Sequence, residues 1–219
     1  MPPVGQRLRR LLGSRTDPVA RWYRHWYIDL ADFGRTLGRL GPVERALEIG
    51  CGDGHLTEQL VARFPDAVVV GIDVAAEPGR LYRGRSERVA FRRVTAEQLA
   101  AEGPLPFDLV VLCDVLHHVA PADRVGLVRA ARHLTRPGGV LVVKDWERGR
   151  DLGTLASYVS DTYITGDHVE FFAPGELDAL LMEACPGDRI VGEGRVPPRH
   201  NNQYLVVRVG CPPAQGPAH

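Results

Sequence analysis

The stretch "RALEIGCGDGHLTEQL" at residues 45–60 constrains the fold more than any other part of the sequence. Its apolar residues 46–50 predict a buried strand, and residues 55–64 have the spacing of an amphipathic helix. Between them, glycines occupy alternate positions: Gly50, Gly52 and Gly54. Glycine permits backbone conformations and close approaches that other residues do not. A strand that turns into a helix in this way is typical of a parallel α/β sheet that binds a ligand against its main chain.

The rest of the chain continues this alternation. Further apolar runs predict strands at residues 67–73, 88–94, 107–114 and 139–145. Helical spacing is clear at residues 121–135 and 174–184, and residues 75–86 predict a broken helical connection. Short β-branched runs separated by helices predict parallel strands with helices on both faces. Two last runs, "DRIVGEG" and residues 203–209, predict strands that pair antiparallel at one edge.

After Asp145 the alternation of strands and helices stops, which suggests an insertion. We therefore expect residues 1–219 to form a single domain with four parts. These are an N-terminal helical arm (1–42), a ligand-binding core (43–145), an insertion over the substrate (146–173), and a C-terminal helix with antiparallel strands (174–210).

Composition excludes several other classes of protein. No stretch approaches the roughly 20 apolar residues of a membrane span, and the basic N-terminus lacks the apolar core and cleavage site of a signal peptide. The cysteines are widely separated and form no C-x-x-C pair: Cys51, Cys113, Cys185 and Cys211. We therefore expect a cytoplasmic protein with reduced thiols, no metal ion and no membrane association.

Two acids define the ligand that the glycine turn accepts. The spacing is G-x-G-x-G, not the G-x-G-x-x-G of dinucleotide-binding proteins, and Glu48 before it would repel a pyrophosphate. Asp73 ends the second strand, where a carboxylate can accept hydrogen bonds from both hydroxyls of a ribose. The ligand should therefore carry a ribose and a cationic end but no phosphate, a description that S-adenosyl-L-methionine fits.

Four motifs in order resemble the class I S-adenosylmethionine-dependent methyltransferases, in the type 11/12-like branch that acts on small molecules. They are the glycine motif "LEIGCGDG", the ribose motif "GID", the fourth-strand motif "FDLVVLCDVLHHV" and the turn "LTRPGGVLVV" into strand five. The resemblance covers roughly residues 43–145. It implies an α/β fold: a Rossmann-like three-layer sandwich with a mostly parallel seven-stranded sheet and an antiparallel last strand.

The resemblance also implies the cofactor contacts, with S-adenosyl-L-homocysteine as the product. Glu48 and the glycines would line the methionine part, Asp73 would bind the ribose, and Val74 would pack on adenine. Thr95 stands where the family commonly has an acid at the adenine edge, so the backbone of Ala96 with Thr95 or Glu97 is expected to replace it. The full set is Glu48, Gly50, Cys51, Gly52, Asp73, Val74, Thr95, Ala96, Glu97, Cys113 and His118.

Methyl transfer requires a positioned acceptor, and an alcohol or phenol must also lose a proton. The family has its acceptor beyond strands four and five, which makes His117 the first candidate base and His168 in the insertion the second. Lys144 and Asp145 either pair with each other or orient the substrate. The candidate catalytic residues are His117, His168 and Asp145, and the candidate substrate-binding residues are Trp22, Tyr23, Lys144, Tyr158 and Tyr163.

The sequence favours methylation of an oxygen or nitrogen of a small organic molecule, such as a secondary metabolite. Residues 145–183 hold nine acids against two arginines, a net charge of −7, and this segment is expected over the acceptor. A nucleic-acid substrate would require a basic surface there. The arginines of residues 80–93 lie away from the expected acceptor. An RNA methyltransferase, a cofactor-binding protein without methyl transfer, and an enzyme that uses the sulfonium only as a charge stay open as alternatives.

Overall fold

A seven-stranded sheet lies at the centre of the computed structural model, which describes residues 29–84, 87–148, 170–197 and 201–210. The strands are β1 (Arg45–Ile49), β2 (Val68–Asp73), β3 (Val89–Arg93), β4 (Phe107–Cys113), β5 (Thr135–Trp146), β6 (Arg189–Arg195) and β7 (Asn202–Arg208). The helices are α1 (Leu30–Leu37), α2 (His55–Arg63), α3 (Ala96–Ala101), α4 (Pro121–Leu134) and α5 (Glu176–Ala184), and a 3₁₀ turn spans Leu116–His118.

The strand order is β3-β2-β1-β4-β5-β7-β6. The pairs among β1 to β5 are all parallel, whereas β7 runs antiparallel to both β5 and β6. The chain moves outward in one direction from β1 to β3 and then returns to the other side of β1 with β4. Ligands of open α/β sheets bind at such a reversal, beyond the carboxyl ends of the strands. The predicted fold class is confirmed.

Helices cover both faces of the sheet because the central strands are apolar on both sides. In β4, Leu109 and Val111 pack with α1 and α2, whereas Val110 and Leu112 pack with α3, α4 and α5. Successive side chains of a strand point to opposite faces, so a continuous apolar run supplies two cores. The result is the three-layer arrangement that the sequence predicted.

Helix α1 anchors the described end of the N-terminal arm to the sheet. It begins after Asp29, whose side chain accepts a hydrogen bond from the backbone N–H of Asp32 at 2.8 Å. Phe33 and Leu37 on one face are fully buried, and the Phe33 ring contacts that of Tyr204 on β7. The arm therefore reaches the same side of the sheet as α2.

Two connections differ from the sequence prediction. Residues 75–84 form bends and turns rather than a helix, and Gly79 in this segment lies so close to the Phe91 ring that a Cβ would meet it at 2.4 Å. Helix α3 was not predicted, although Thr95 and Gln98 form a reciprocal capping box at its start. Six residues are too few to produce a clear hydrophobic period.

Among the residues that the structure describes, no helix is long and apolar enough to cross a membrane.

Candidate functional site

A cavity of about 750 Å³ lies beyond the carboxyl ends of β1, β2 and β4. All eleven residues that the sequence predicted for the cofactor line it, together with His117. Its size is within the range of small-molecule sites, roughly 300–1,000 Å³. The glycine turn, the ribose acid and the first candidate base therefore face one space, although they come from separate parts of the chain.

The glycine turn gives this cavity a wall of bare main chain. Gly50 has a φ of +74°, and a Cβ on it would meet Val115 at 2.3 Å. Gly52 has a φ of +49° and has no atom within 4 Å of where a Cβ would stand. The backbone N–H groups of Gly50 and Cys51 both donate to the carbonyl of Ile72. The turn is thus fixed to β2, and its open side can accept a ligand against the backbone.

Two backbone hydrogen bonds fix the orientation of the Asp73 carboxylate. Its Oδ2 accepts a hydrogen bond from Gly52 N–H at 2.7 Å, and its Oδ1 accepts one from Ala75 N–H at 2.8 Å. Each carboxylate oxygen has a second lone pair, so both can still accept a hydroxyl. Val74 beside it is 68% exposed, which leaves an apolar surface for a planar ring.

Glu48 is buried at the floor of the cavity. Only 3% of it is exposed, and its Oε2 accepts a hydrogen bond from the Thr57 hydroxyl at 2.5 Å. Burial raises the pKa of Glu48, the Thr57 bond opposes the rise, and the charge of Asp73 adds to it, giving a pKa of about 8. At neutral pH these surroundings therefore favour the neutral acid, and a cationic ligand would favour the carboxylate.

Thr95, a predicted contact to the adenine edge, uses its hydroxyl to cap a helix. The Thr95 hydroxyl accepts a hydrogen bond from Gln98 N–H, and the Gln98 side chain accepts one from Thr95 N–H. Thr95 thus serves as the cap of α3. The neighbouring Ala96 and Glu97 also line the cavity, and they stay the predicted contacts at that edge.

His117 and Asp145 form a buried hydrogen-bonded pair on the other side of the cavity. His117 Nδ1 lies 2.6 Å from Asp145 Oδ1, and the two residues are 3% and 1% exposed. Asp145 also accepts hydrogen bonds from the backbone N–H groups of Leu116 and Trp146. Burial alone would raise the pKa of Asp145, but the charge and hydrogen bond of His117 outweigh it and hold the pKa below its usual value.

This pairing has the geometry of a base and its orienting carboxylate. An ionised Asp145 accepts the proton on Nδ1 of His117, which leaves Nε2 as the basic nitrogen of the ring. Asp145 itself does not line the cavity, so its contribution is to position His117. His118 is exposed, lines the cavity, and packs its ring 4.0 Å from that of His117.

Lys144 bonds across the sheet to Asp114, not to its neighbour Asp145. Its Nζ lies 2.5 Å from Asp114 Oδ1 and 5.0 Å from the centre of the Trp146 ring. Lys144 is fully buried and does not line the cavity, whereas Asp114 does. The cavity-facing group of this pair is therefore the carboxylate.

Three potential metal ligands lie within 4.8 Å of one another: Asp114, His117 and Asp145. The 2.6 Å separation of His117 Nδ1 and Asp145 Oδ1 is a hydrogen bond, and the Lys144 ammonium already neutralises Asp114. The His117–Asp145 hydrogen bond and the Lys144–Asp114 ion pair therefore explain why these three side chains lie together.

The cavity thiols are poorly suited to nucleophilic chemistry. Burial raises the pKa of Cys51, and the nearby Glu48 and Asp73 raise it further. Burial and the charge of Asp114 likewise raise the pKa of Cys113. Both residues line the cavity as neutral thiols.

Other residues of the cavity were missed by the sequence analysis. Trp146 and Asp123 line it, and Thr57 supports Glu48 from α2. A tryptophan directly after "KD" at the end of a strand could have indicated the first of these. Asp123 is one of many exposed acids on helices, and no sequence signal distinguishes it. The predicted residues Trp22, Tyr23, Tyr158, Tyr163 and His168 lie outside the described residues.

Comparison with known proteins agrees with this geometry. Residues 47–141 match the family model described as "Methyltransferase domain". The ubiquinone biosynthesis O-methyltransferase of Pseudomonas aeruginosa (strain LESB58) is 35% identical over 152 residues, which cover 64% of this chain and 63% of that relative. The matched region thus spans less than two thirds of the relative.

Two solved structures are similar in fold. The 1,6-didemethyltoxoflavin-N1-methyltransferase of Burkholderia thailandensis, with bound 1,6-didemethyltoxoflavin and S-adenosylhomocysteine, has a TM-score of 0.63 and 21% identity and covers 95% of this chain and 91% of that one. The N,N-8-amino-8-demethyl-D-riboflavin dimethyltransferase of Streptomyces davawensis has a TM-score of 0.65 and 23% identity. The match covers 89% of this chain and 57% of that one. At these identities the likeness concerns the fold.

Proposed function

Because the chain belongs to the class I S-adenosylmethionine-dependent methyltransferases, we propose that it transfers a methyl group to a hydroxyl oxygen of a small organic molecule. The observation that carries this proposal is that His117, which is hydrogen-bonded to Asp145, lines the same cavity as the glycine turn. S-adenosyl-L-methionine supplies the methyl group in electrophilic form on its sulfonium. The residues of the chain then have to bind the cofactor, orient the acceptor and remove its proton.

The cavity fits a cofactor of this chemistry. Gly52 offers open space against the main chain, Asp73 offers accepting lone pairs for ribose hydroxyls, and Glu48 offers a carboxylate beside the cationic end. No arginine or lysine is among the described lining residues, which suits a ligand without phosphate. Val74 and the start of α3 would hold the adenine.

A hydroxyl acceptor explains why the second half of the cavity contains a base. An amine needs only to be unprotonated before it attacks, whereas an alcohol or phenol must lose its proton as the new bond forms. Asp145 fixes the Nδ1–H tautomer of His117, so Nε2 accepts that proton. The buried carboxylate stabilises the resulting imidazolium. An amine that binds in its unprotonated form does not need this hydrogen-bonded pair, so the pair favours a hydroxyl acceptor.

The arginines of residues 80–93 do not favour an RNA substrate. Three of them form ion pairs on the protein's own surface: Arg80 with Asp53, Arg88 with Asp66, and Arg92 with Glu102. Arg93 donates to the carbonyl of Val74 instead. A nucleic-acid site requires basic side chains that are available to phosphates.

The test is methyl release from labelled S-adenosyl-L-methionine in a screen of small hydroxylated and amine-bearing compounds. We expect turnover with hydroxylated compounds, and we expect Asp145→Asn to lower kcat by about 10²-fold or more while S-adenosyl-L-homocysteine binds unchanged. A protein that binds the cofactor and methylates only amines, or nothing, would contradict the proposal. Loss of cofactor binding in Asp145→Asn would instead indicate a structural role for the pair.

A further inference from the structure

Lys144 is the single lysine in a chain with 27 basic residues, all the others being arginine. It is fully buried at the end of β5, where its ammonium contacts Asp114 and the ring of Trp146. A buried ammonium is costly unless it is paired. The pair with Asp114 therefore makes this position tolerable, and it holds one oxygen of the Asp114 carboxylate in place.

The backbone of Asp114 is fixed as well. Asp114 has a φ of +58°, the only positive φ among the described residues other than glycine. Its N–H donates to the carbonyl of Lys144 at 2.9 Å. Aspartate tolerates this conformation better than most residues. With 23% of its side chain exposed and its place on the cavity wall, Asp114 presents a fixed carboxylate to whatever lies beside His117.

The distance between these two groups is short. An oxygen of Asp114 and a ring nitrogen of His117 lie within 4.8 Å of each other. A carboxylate and an imidazole this close together can contact two neighbouring groups on one small molecule, each over about 2.8 Å. Asp114 would therefore contact the substituent next to the hydroxyl that His117 deprotonates.

We propose that Asp114 is a specificity-determining residue, which accepts a hydrogen bond from a donor adjacent to the methylated hydroxyl and rejects an anionic group at that position. Lys144 is its positioning residue. This inference rests on the proposed function, because it takes His117 as the group that faces the hydroxyl.

The charge of the cavity agrees with this selectivity. The described lining residues include six acids, three histidines and no arginine or lysine, so acids outnumber the groups that could pair with an anion. The acids are Glu48, Asp53, Asp73, Glu97, Asp114 and Asp123. Lys144 compensates Asp114 from behind and is itself out of reach of a ligand.

The experiment varies the substituent next to the hydroxyl of a phenol. Catechol, 2-hydroxybenzylamine, guaiacol and salicylate share a phenol hydroxyl and carry beside it a neutral donor, a cationic donor, a non-donor and an anion. Their affinities are measured by calorimetry on the protein saturated with S-adenosyl-L-homocysteine. We expect catechol and 2-hydroxybenzylamine to bind at least about tenfold more tightly than guaiacol, the effect of about one hydrogen bond to a charged group. Salicylate should bind most weakly.

Asp114→Asn tests the residue itself. Asparagine also tolerates a positive φ, and its amide oxygen can still accept a hydrogen bond from Lys144. The amide can both donate and accept, so the preference for catechol over guaiacol should fall towards one and salicylate should gain affinity. Asp66→Asn is the matched control, because its side chain is 98% exposed in a surface ion pair. Should Asp114→Asn unfold, the double variant with Lys144→Gln removes both charges and leaves neither buried alone.

Three outcomes would overturn the inference while cofactor binding stays intact. They are salicylate binding as tightly as catechol, an unchanged order of affinities in Asp114→Asn, and no binding of any of the four compounds. Failure of the wild-type protein to bind S-adenosyl-L-homocysteine would overturn the proposed function, and with it the basis of this inference.

Discussion

Glu48 should couple cofactor binding to the release of a proton. Its pKa is about 8, because burial and the charge of Asp73 disfavour the carboxylate. With that pKa, about one tenth of the molecules carry the carboxylate at pH 7 and about nine tenths at pH 9. A ligand that brings a sulfonium and an ammonium favours the ionised form. The affinity for S-adenosyl-L-methionine should therefore rise about tenfold over this range through Glu48 alone.

The perturbation that isolates this effect is Glu48→Gln, which keeps the shape and removes the titration. The α-amino group of the ligand titrates near pH 7.7–8.0 as well, but it does so identically with both proteins. The difference between the wild-type and variant curves of affinity against pH therefore belongs to Glu48. At pH 7, calorimetry in two buffers of different ionisation enthalpy should show about 0.9 more protons released by the wild type.

Thr57→Val tests the same prediction by changing the pKa of Glu48 in a known direction. The Thr57 hydroxyl donates to Glu48 and lowers its pKa, so removing the hydroxyl should move the rise in affinity to higher pH. A difference curve between wild type and Glu48→Gln that stays flat from pH 6 to 9 would refute the reasoning. So would a Thr57→Val curve displaced towards lower pH.

Three other predictions concern stability, the ribose and metals. Because the folded pKa of Glu48 lies above its usual 4.5, the protein without added ligand should lose stability as the pH rises from 4.5 to 8. In urea unfolding at pH 7, the free energy of unfolding of Glu48→Gln should exceed that of the wild type by up to about 3 kcal/mol, and equal values would refute this prediction. Asp73→Ala should weaken S-adenosyl-L-homocysteine binding about tenfold or more by calorimetry, and near-normal affinity would exclude the ribose role. A chelator should leave turnover unchanged, since Lys144 already neutralises Asp114; restoration of lost activity by a divalent cation would contradict this.

The sequence predicted which residues meet around the glycine turn because the signals there are local. An apolar strand, alternate glycines and a helix follow one another within residues 45–60, and Asp73 ends the next strand. Each of these features fixes backbone geometry or a single side chain close to its own position in the chain. All eleven predicted residues consequently line one cavity.

The acceptor half depends on pairing between strands, which the sequence pattern does not contain. His117 and Asp145 are 28 residues apart, and Asp114 and Lys144 are 30 apart. Both pairs form because β4 and β5 are neighbours, with Cys113 beside Lys144 in the register. The sequence indicated which residues end the strands but not which of two adjacent side chains, Lys144 or Asp145, would meet which partner.

The two buried carboxylates of the site show how burial can serve opposite purposes. Glu48 and Asp145 are both almost fully buried, yet the pKa of Glu48 is raised and that of Asp145 is lowered. Asp145 accepts hydrogen bonds from two backbone N–H groups and from His117, so the protein itself stabilises its negative charge. Glu48 instead accepts a hydrogen bond from the neutral hydroxyl of Thr57. Its missing countercharge is the one that a sulfonium cofactor would bring, and this is why we assign Glu48 to ligand binding and Asp145 to the orientation of a base.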